Sequence, residues 1–175
     1  MRIGEKGERG APGFDDPLGL LAACHGRIEG HCATLARLKV HVRAHGGDRE
    51  AQVAAERVFG YFAQAGRWHH EDEERDLAPL LERHGDRALV AVMARLMAEH
   101  RDLERAYAPL ERILRALPAT PADLPIEPYV SLMRAHMQVE DTVVLPRARA
   151  LLDSSEIAAL GQAMAARRGV TLRAP

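Results

Sequence analysis

Four stretches of this chain carry apolar residues at intervals of three and four, and a histidine interrupts each stripe. Those intervals match the turn of an α-helix, so each stretch presents one apolar face that has to be buried. The first runs Leu18, Leu21, His25, Ile28, Cys32, Leu35 and Val42. Asp15 or Asp16 offers its N-cap, Pro17 its first helical position, and Gly46-Gly47 its stop. The second opens after an Asp48 cap and carries Val58, Phe62, His69, Glu73, Leu77 and Leu80 up to Gly85. Pro79 is expected to kink it or to tighten its last turn. The third, Leu89, Val92, Leu96, His100, Leu103, Tyr107, Leu110, Leu114 and Leu117, reads as a heptad seam with one His inside. Pro118 to Pro128 holds four prolines and reads as a linker. The fourth stretch carries Tyr129, Met133, His136, Glu140 and Val143 and runs to about Leu151.

Long helices joined by short connections predict an all-α, up-down-up-down antiparallel four-helix bundle, with a short extra helix from Asp153 to about Arg168. Composition agrees: Ala and Leu dominate, and aromatic residues make up only 4%. A length of 175 residues suits one domain. The expected divisions are a disordered tail over 1–14, the bundle over 15–152, and a short helix with a C-terminal tail over 153–175. Gly recurs at every third position through residues 4–13, but so few triplets cannot form a collagen helix.

Two of the stripes share a longer pattern, His69-x-x-x-Glu73-x5-Pro79 and His136-x-x-x-Glu140-x5-Pro146. Residues four apart share a helix face, so an imidazole and a carboxylate at that spacing can hold one metal or adjacent metals. His70 and Glu74 have the same spacing and stand as the alternative pair, but only His69 and Glu73 align when the prolines are matched. Distance from the turns gives an independent test. His25 lies 21 residues before Gly46 and His69 lies 22 after Gly47; His69 lies 16 before Gly85 and His100 lies 15 after it. Antiparallel helices therefore bring these three to one level within roughly 1.5 Å, one residue of helical rise. Four His and two Glu in one layer make a poor apolar core, since each unsatisfied group costs about 1 to 3 kcal/mol. A pair of metal ions removes that cost, and imidazole with bridging carboxylate suits iron ahead of zinc or manganese. The order and spacing differ from the Glu-x-x-His pattern of ferritin-like bundles.

These elements, together with Cys24-His25-Gly26-Arg27-Ile28-Glu29 and Ala98-Glu99-His100, resemble the hemerythrin family, in its bacterial branch with the His-His-Glu cation-binding domain. The resemblance covers residues 15 to about 150. It implies that His25, His69, His100 and His136 are terminal ligands of two irons, and that Glu73 and Glu140 bridge them beside an oxo or hydroxo group. Oxygen-carrying members resemble this chain but have a second His four residues after the third-helix ligand, where Glu104 stands here. That departure favours the sensing and repair members over reversible carriage. Glu104 is left either as an extra ligand or as a solvated flank residue. The iron-sulfur repair members also carry an N-terminal Cys-Cys domain that does not appear in this sequence.

A formal charge of -1, with no block of Lys and Arg, gives no nucleic-acid footprint. No apolar run approaches the ~20 residues needed to span a bilayer, and a cytoplasmic protein is expected. Cys24 and Cys32 stand eight apart on one helix, roughly 12 Å, and cannot bridge each other. His31, His41, His45 and His84 are expected to cap carbonyls or face water. Tyr107, Tyr129 and Trp68 are expected to pack in the core, and the run Glu71 to Asp76 to mix ligand with solvated face. Three functions follow in order: a binding protein that senses or scavenges O2, NO or H2O2; an enzyme that reduces peroxide or NO or supports iron-sulfur repair, served by an electron-donor protein; and a metal that only staples the bundle. A monomer or homodimer is expected.

Overall fold

The computed structural model of the protein describes residues 12–117 and 123–172. Most of the expected N-terminal tail, residues 118–122 of the proline-rich linker and the last three residues lie outside that range. Helix α1 spans Pro17–His45. A second rod follows from α2 (Arg49–Tyr61), the π-helical segment π1 (Phe62–Gly66), α3 (Arg67–Asp72), π2 (Glu73–Leu77) and α4 (Ala78–Arg83). Helix α5 (Arg87–Arg115) is the third rod; α6 (Glu127–Val139), π3 (Glu140–Val144) and α7 (Leu145–Leu151) make the fourth. Helix α8 (Ser154–Arg167) lies across α1, α3 and π2. The described residues form an all-α bundle of four rods with this extra helix, and contain no strand.

The ends of the rods follow from their caps. Asp16 accepts from the Gly19 N–H at 3.1 Å, Pro17 needs no donor at the first turn, and Gly46 closes α1 at a φ of 75°, where a side chain would be strained. Asp48 caps α2 by accepting from Ala51 at 2.9 Å, and Asp153 with Glu156 forms a reciprocal capping box on α8. Short turns between the first three rods make neighbours antiparallel. The fourth returns beside the first, since α1 packs on both α6 and α7.

The interior is two apolar clusters with a polar layer between them. Ile28, Leu35, Val58, Leu103, Leu110 and Met133 belong to one cluster; Leu18, Leu21, Leu81, Leu89, Leu96 and Val144 belong to the other. Each rod passes from one cluster to the other at its histidine: Leu21 then Ile28 around His25, Leu96 then Leu103 around His100. Met93, not Val92, is the buried residue of the third seam at its level. Phe14 packs against the second cluster, and a Cβ on Gly161 would meet the Phe14 carbonyl oxygen at 1.9 Å, so only glycine lets α8 approach there.

Before Pro79 the helix widens rather than tightens. The Ala78 N–H reaches back five residues to the Glu73 carbonyl, and the Leu145 N–H does the same to Glu140. The next residue is the proline in both rods. A proline ring clashes with the carbonyl four residues back in an α-helix, and a π turn relieves that clash.

Candidate metal centre

The six donors singled out from the sequence all lie in the polar layer, and each is 4% exposed or less. His25 Nε2 and His69 Nε2 stand 3.2 Å apart, and His100 Nε2 and His136 Nε2 stand 3.1 Å apart. Two nitrogens at that separation match adjacent corners of an octahedron with metal–nitrogen bonds near 2.1 Å, for which the edge is about 3.0 Å. The carboxylates join the pairs. Glu73 turns Oε1 to His69 at 3.3 Å and Oε2 to His100 at 3.4 Å. Glu140 turns Oε2 to His25 at 3.2 Å and Oε1 to His136 at 3.1 Å. Each Glu thus gives one oxygen to each His pair. Two four-donor groups result, His25/His69/Glu73/Glu140 and Glu73/His100/His136/Glu140, sharing both carboxylates.

Helix geometry explains the convergence. His69, Glu73 and Leu77 are spaced by four and again by four, as are His136, Glu140 and Val144, and all six are buried. In an α-helix each step of four drifts by about 40° from the starting face. The wider turns of π2 and π3 cancel that drift and keep all three residues of each rod inward.

Carboxylates on neighbouring rods orient the imidazoles. Asp141 pairs with His25 Nδ1 at 2.7 Å, Glu74 with His100 Nδ1 at 2.7 Å, and Glu99 with His136 Nδ1 at 3.1 Å. Such partners fix the ring and leave Nε2 free to bind a cation. His69 Nδ1 is buried with no hydrogen-bond partner. Reading along single helices missed Asp141, Glu74 and Glu99 in this role. The available signal was that each adjoins a donor of its own rod while serving a histidine of the next.

Glu74 serves His100 from outside the layer, and His70 stacks flat on the His100 ring, 3.9 Å between centroids and 8° between planes. Two stacked imidazoles cannot both hold one ion in their ring planes, so His70 and His100 are not ligands of the same ion in this arrangement. Glu104 is exposed and falls in none of the donor groups found among the described residues. His84 is exposed, as expected, and pairs with Glu156 at 2.9 Å, while half-buried His41 pairs with Asp48 at 2.9 Å. His31 stacks on Tyr61. Both cysteines are buried free thiols. Within the run 71–76, Asp72 is fully buried against Arg167 and Arg168 rather than solvated, and Glu71 and Asp76 also pair with Arg167. Arg168 lies over the Trp68 ring at 5.4 Å.

Electrostatics mark the layer as a place for cations. Burial and the neighbouring Glu140 raise the Glu73 carboxyl well above its ordinary range. Burial acts the same way on Glu140, but the His136 and His25 imidazoles beside it outweigh burial and hold Glu140 well below. Burial presses His69 down to about 3. Burial also lowers His25 and His136, yet Glu140 with Asp141 and with Glu99 outweighs it and both are raised. Glu73 Oε2 and Glu140 Oε2 are still without hydrogen-bond partners. Buried acceptors left in that state are what bound cations satisfy, so the donor set fits a metal pair.

The chain matches the model of the hemerythrin HHE cation-binding domain over residues 16–163. An uncharacterized protein of Haemophilus influenzae is 26% identical over 168 residues, spanning 90% of this chain and 92% of its own length. No helix among the described residues is long and apolar enough to cross a membrane. With a buried His and Glu layer inside an all-α bundle, and with the domain model spanning nearly all of it, this chain belongs to the hemerythrin HHE cation-binding family.

Proposed function

We propose that the protein holds two iron ions, one on His25 and His69, the other on His100 and His136, with Glu73 and Glu140 bridging them. The observation that carries this reading is the division of each glutamate's two oxygens between the two His pairs. A single-ion site would draw its carboxylates to one side. Each ion then has four protein donors, fewer than the roughly six an octahedral ion takes, which leaves room for a shared bridge and for a small ligand. Ferrous iron at such a site supplies electrons and an open position for O2, NO or H2O2. The protein's part is to exclude bulk water with the two apolar clusters, to fix the imidazoles through Asp141, Glu74 and Glu99, and to keep the layer's charge low.

The function proposed is sensing or scavenging of such a ligand. Reversible carriage fits less well, because an exposed Glu104 stands where carriers place a fifth histidine. The test is to purify the chain without a His tag, count metals by mass spectrometry, and follow the visible spectrum through reduction and air exposure. Two irons per chain, with absorption bands that bleach on reduction and return in air, support the reading. One zinc per chain, or an intact fold without metal, overturns it and leaves the metal as a staple or absent.

A further inference from the structure

A cavity of about 430 Å³ adjoins the donor layer, and His70 is the group they have in common. One face of His70 covers His100, and its ring nitrogen lies within 4.8 Å of donor nitrogens on His100 and His136. A diatomic molecule or H2O2 needs space on the order of one water, about 30 Å³. This cavity is roughly ten times larger and falls within the ~300–1,000 Å³ of pockets for small organic molecules.

Three observations say that the cavity is built for an occupant. Its wall is divided, with Ile28, Phe62, Leu103, Tyr129 and Met133 giving an apolar and aromatic part, and Arg67, Arg75, Glu71, Glu74, Glu104 and Glu111 a charged one. Tyr107 also lines it, and the Tyr107 hydroxyl is buried without a hydrogen-bond partner. A phenol in that state costs about 1 to 3 kcal/mol until something pairs with it. The third observation is π1. The segments π2 and π3 each begin at a donor glutamate and end before a proline, but π1 has neither. Phe62, Ala63 and Gly66, three of its five residues, line the cavity. A π turn with no proline to relieve is kept for what its widening shapes, and here that is the cavity wall.

We propose that this cavity binds a small organic molecule with an apolar body and one hydroxyl or hydroperoxyl group, the body against Phe62 and Tyr129 and the oxygen hydrogen-bonded to Tyr107. The proposal deepens the preceding reading by naming organic hydroperoxides as the class of peroxide admitted, and rests on that reading for any reaction at the metal. Binding itself does not depend on it.

The probe is 2-phenylpropan-2-ol, the unreactive alcohol of an aryl-alkyl hydroperoxide, titrated into metal-loaded and metal-stripped full-length protein. The Met133 methyl resonance reports the cavity, and azide-induced spectral change reports the metal. The expected result is a saturable shift of Met133 in both forms. Tyr107→Phe weakens binding about tenfold, the loss of one hydrogen bond of about 1.4 kcal/mol. Ala63→Trp, a change at an exposed position, fills the cavity from π1 and abolishes the shift while azide still binds. Absence of a shift in wild-type protein at millimolar alcohol, or binding unchanged by both substitutions, overturns the proposal. If Ala63→Trp does not fold, the Tyr107→Phe ratio decides alone. A Met133 shift in a protein that takes up no iron upholds the cavity and sinks the di-iron reading, so the two failures are distinguishable.

Discussion

Glu73 and Glu140 are the same residue type in the same layer, each 2% exposed, yet their carboxyls are driven in opposite directions. The cause is their neighbours: His25 and His136 flank Glu140, while Glu73 meets the Glu140 charge with less relief. An approximate two-fold relation underlies the layer, matching His25 to His100, His69 to His136, Glu73 to Glu140 and Glu74 to Asp141. Under it Glu99, which holds His136, corresponds to Cys24, and His69 Nδ1 is the ring nitrogen left without a partner. The His100/His136 side therefore has two carboxylate-backed imidazoles and the His25/His69 side has one. Metal should load in two steps, the better-backed side first, as read by chelator competition. Asp141→Asn should weaken the second step by roughly 10- to 100-fold without unfolding the chain. His25→Ala should leave about one ion per chain, whereas Glu73→Gln removes a bridge and should lower both steps. Equal loss of both ions in His25→Ala would contradict the assignment of that residue to one site.

At the scale of the element, the proline that follows each donor pair is part of the site's construction. It lacks an N–H, so the carbonyl four residues behind it, Arg75 or Thr142, has no α-helical donor, and the rod gains less by leaving its π register. Pro79→Ala restores that donor. Two opposed effects are expected: the metal-free protein gains on the order of 1 kcal/mol or more from helix propensity, while metal affinity falls as Glu73 and Leu77 compete for the inward face. Thermal melts of stripped protein beside metal titrations would separate them. A variant that is stabilised and binds metal as before would show that the π turn is incidental. The repeated proline was legible in the sequence, but its consequence was not, because a proline in a helical stripe signals a kink, a stop or a bulge alike.

At the scale of the whole molecule, α8 is tied to the rod that carries His69 and Glu73 through a buried charge. Asp72 is fully buried beside Glu73; Arg168 pairs with it at 2.6 Å and Arg167 closes its other oxygen. Removing one side of a buried ion pair costs about 3 to 5 kcal/mol, because the remaining charge is stranded. Arg167→Ala with Arg168→Ala should therefore destabilise the protein by several kcal/mol, and adding Asp72→Leu should recover part of the loss. Denaturant midpoints of the three proteins test this. No recovery in the third would mean that the arginines matter for packing rather than for the charge of Asp72.

Periodicity and caps were enough to specify four amphipathic helices, their ends and an extra helix, because those depend on neighbours three and four residues apart and on the residue at each terminus. Equal distances from Gly46-Gly47 and Gly85 were enough to bring His25, His69 and His100 to one level, since helical rise is fixed. What passes between helices was not readable. The chain does not say which oxygen of Glu73 faces which histidine, that Asp141 serves His25 across 116 residues, or that Asp72 waits for Arg168. Nor does it announce the cavity beside His70, which Phe62, Ala63 and Gly66 of π1 help to line with no proline following that segment. Local structure obeys short-range steric and hydrogen-bonding rules that act along the chain, whereas the orientation of side chains in the layer is decided by how the rods rotate and pack against each other.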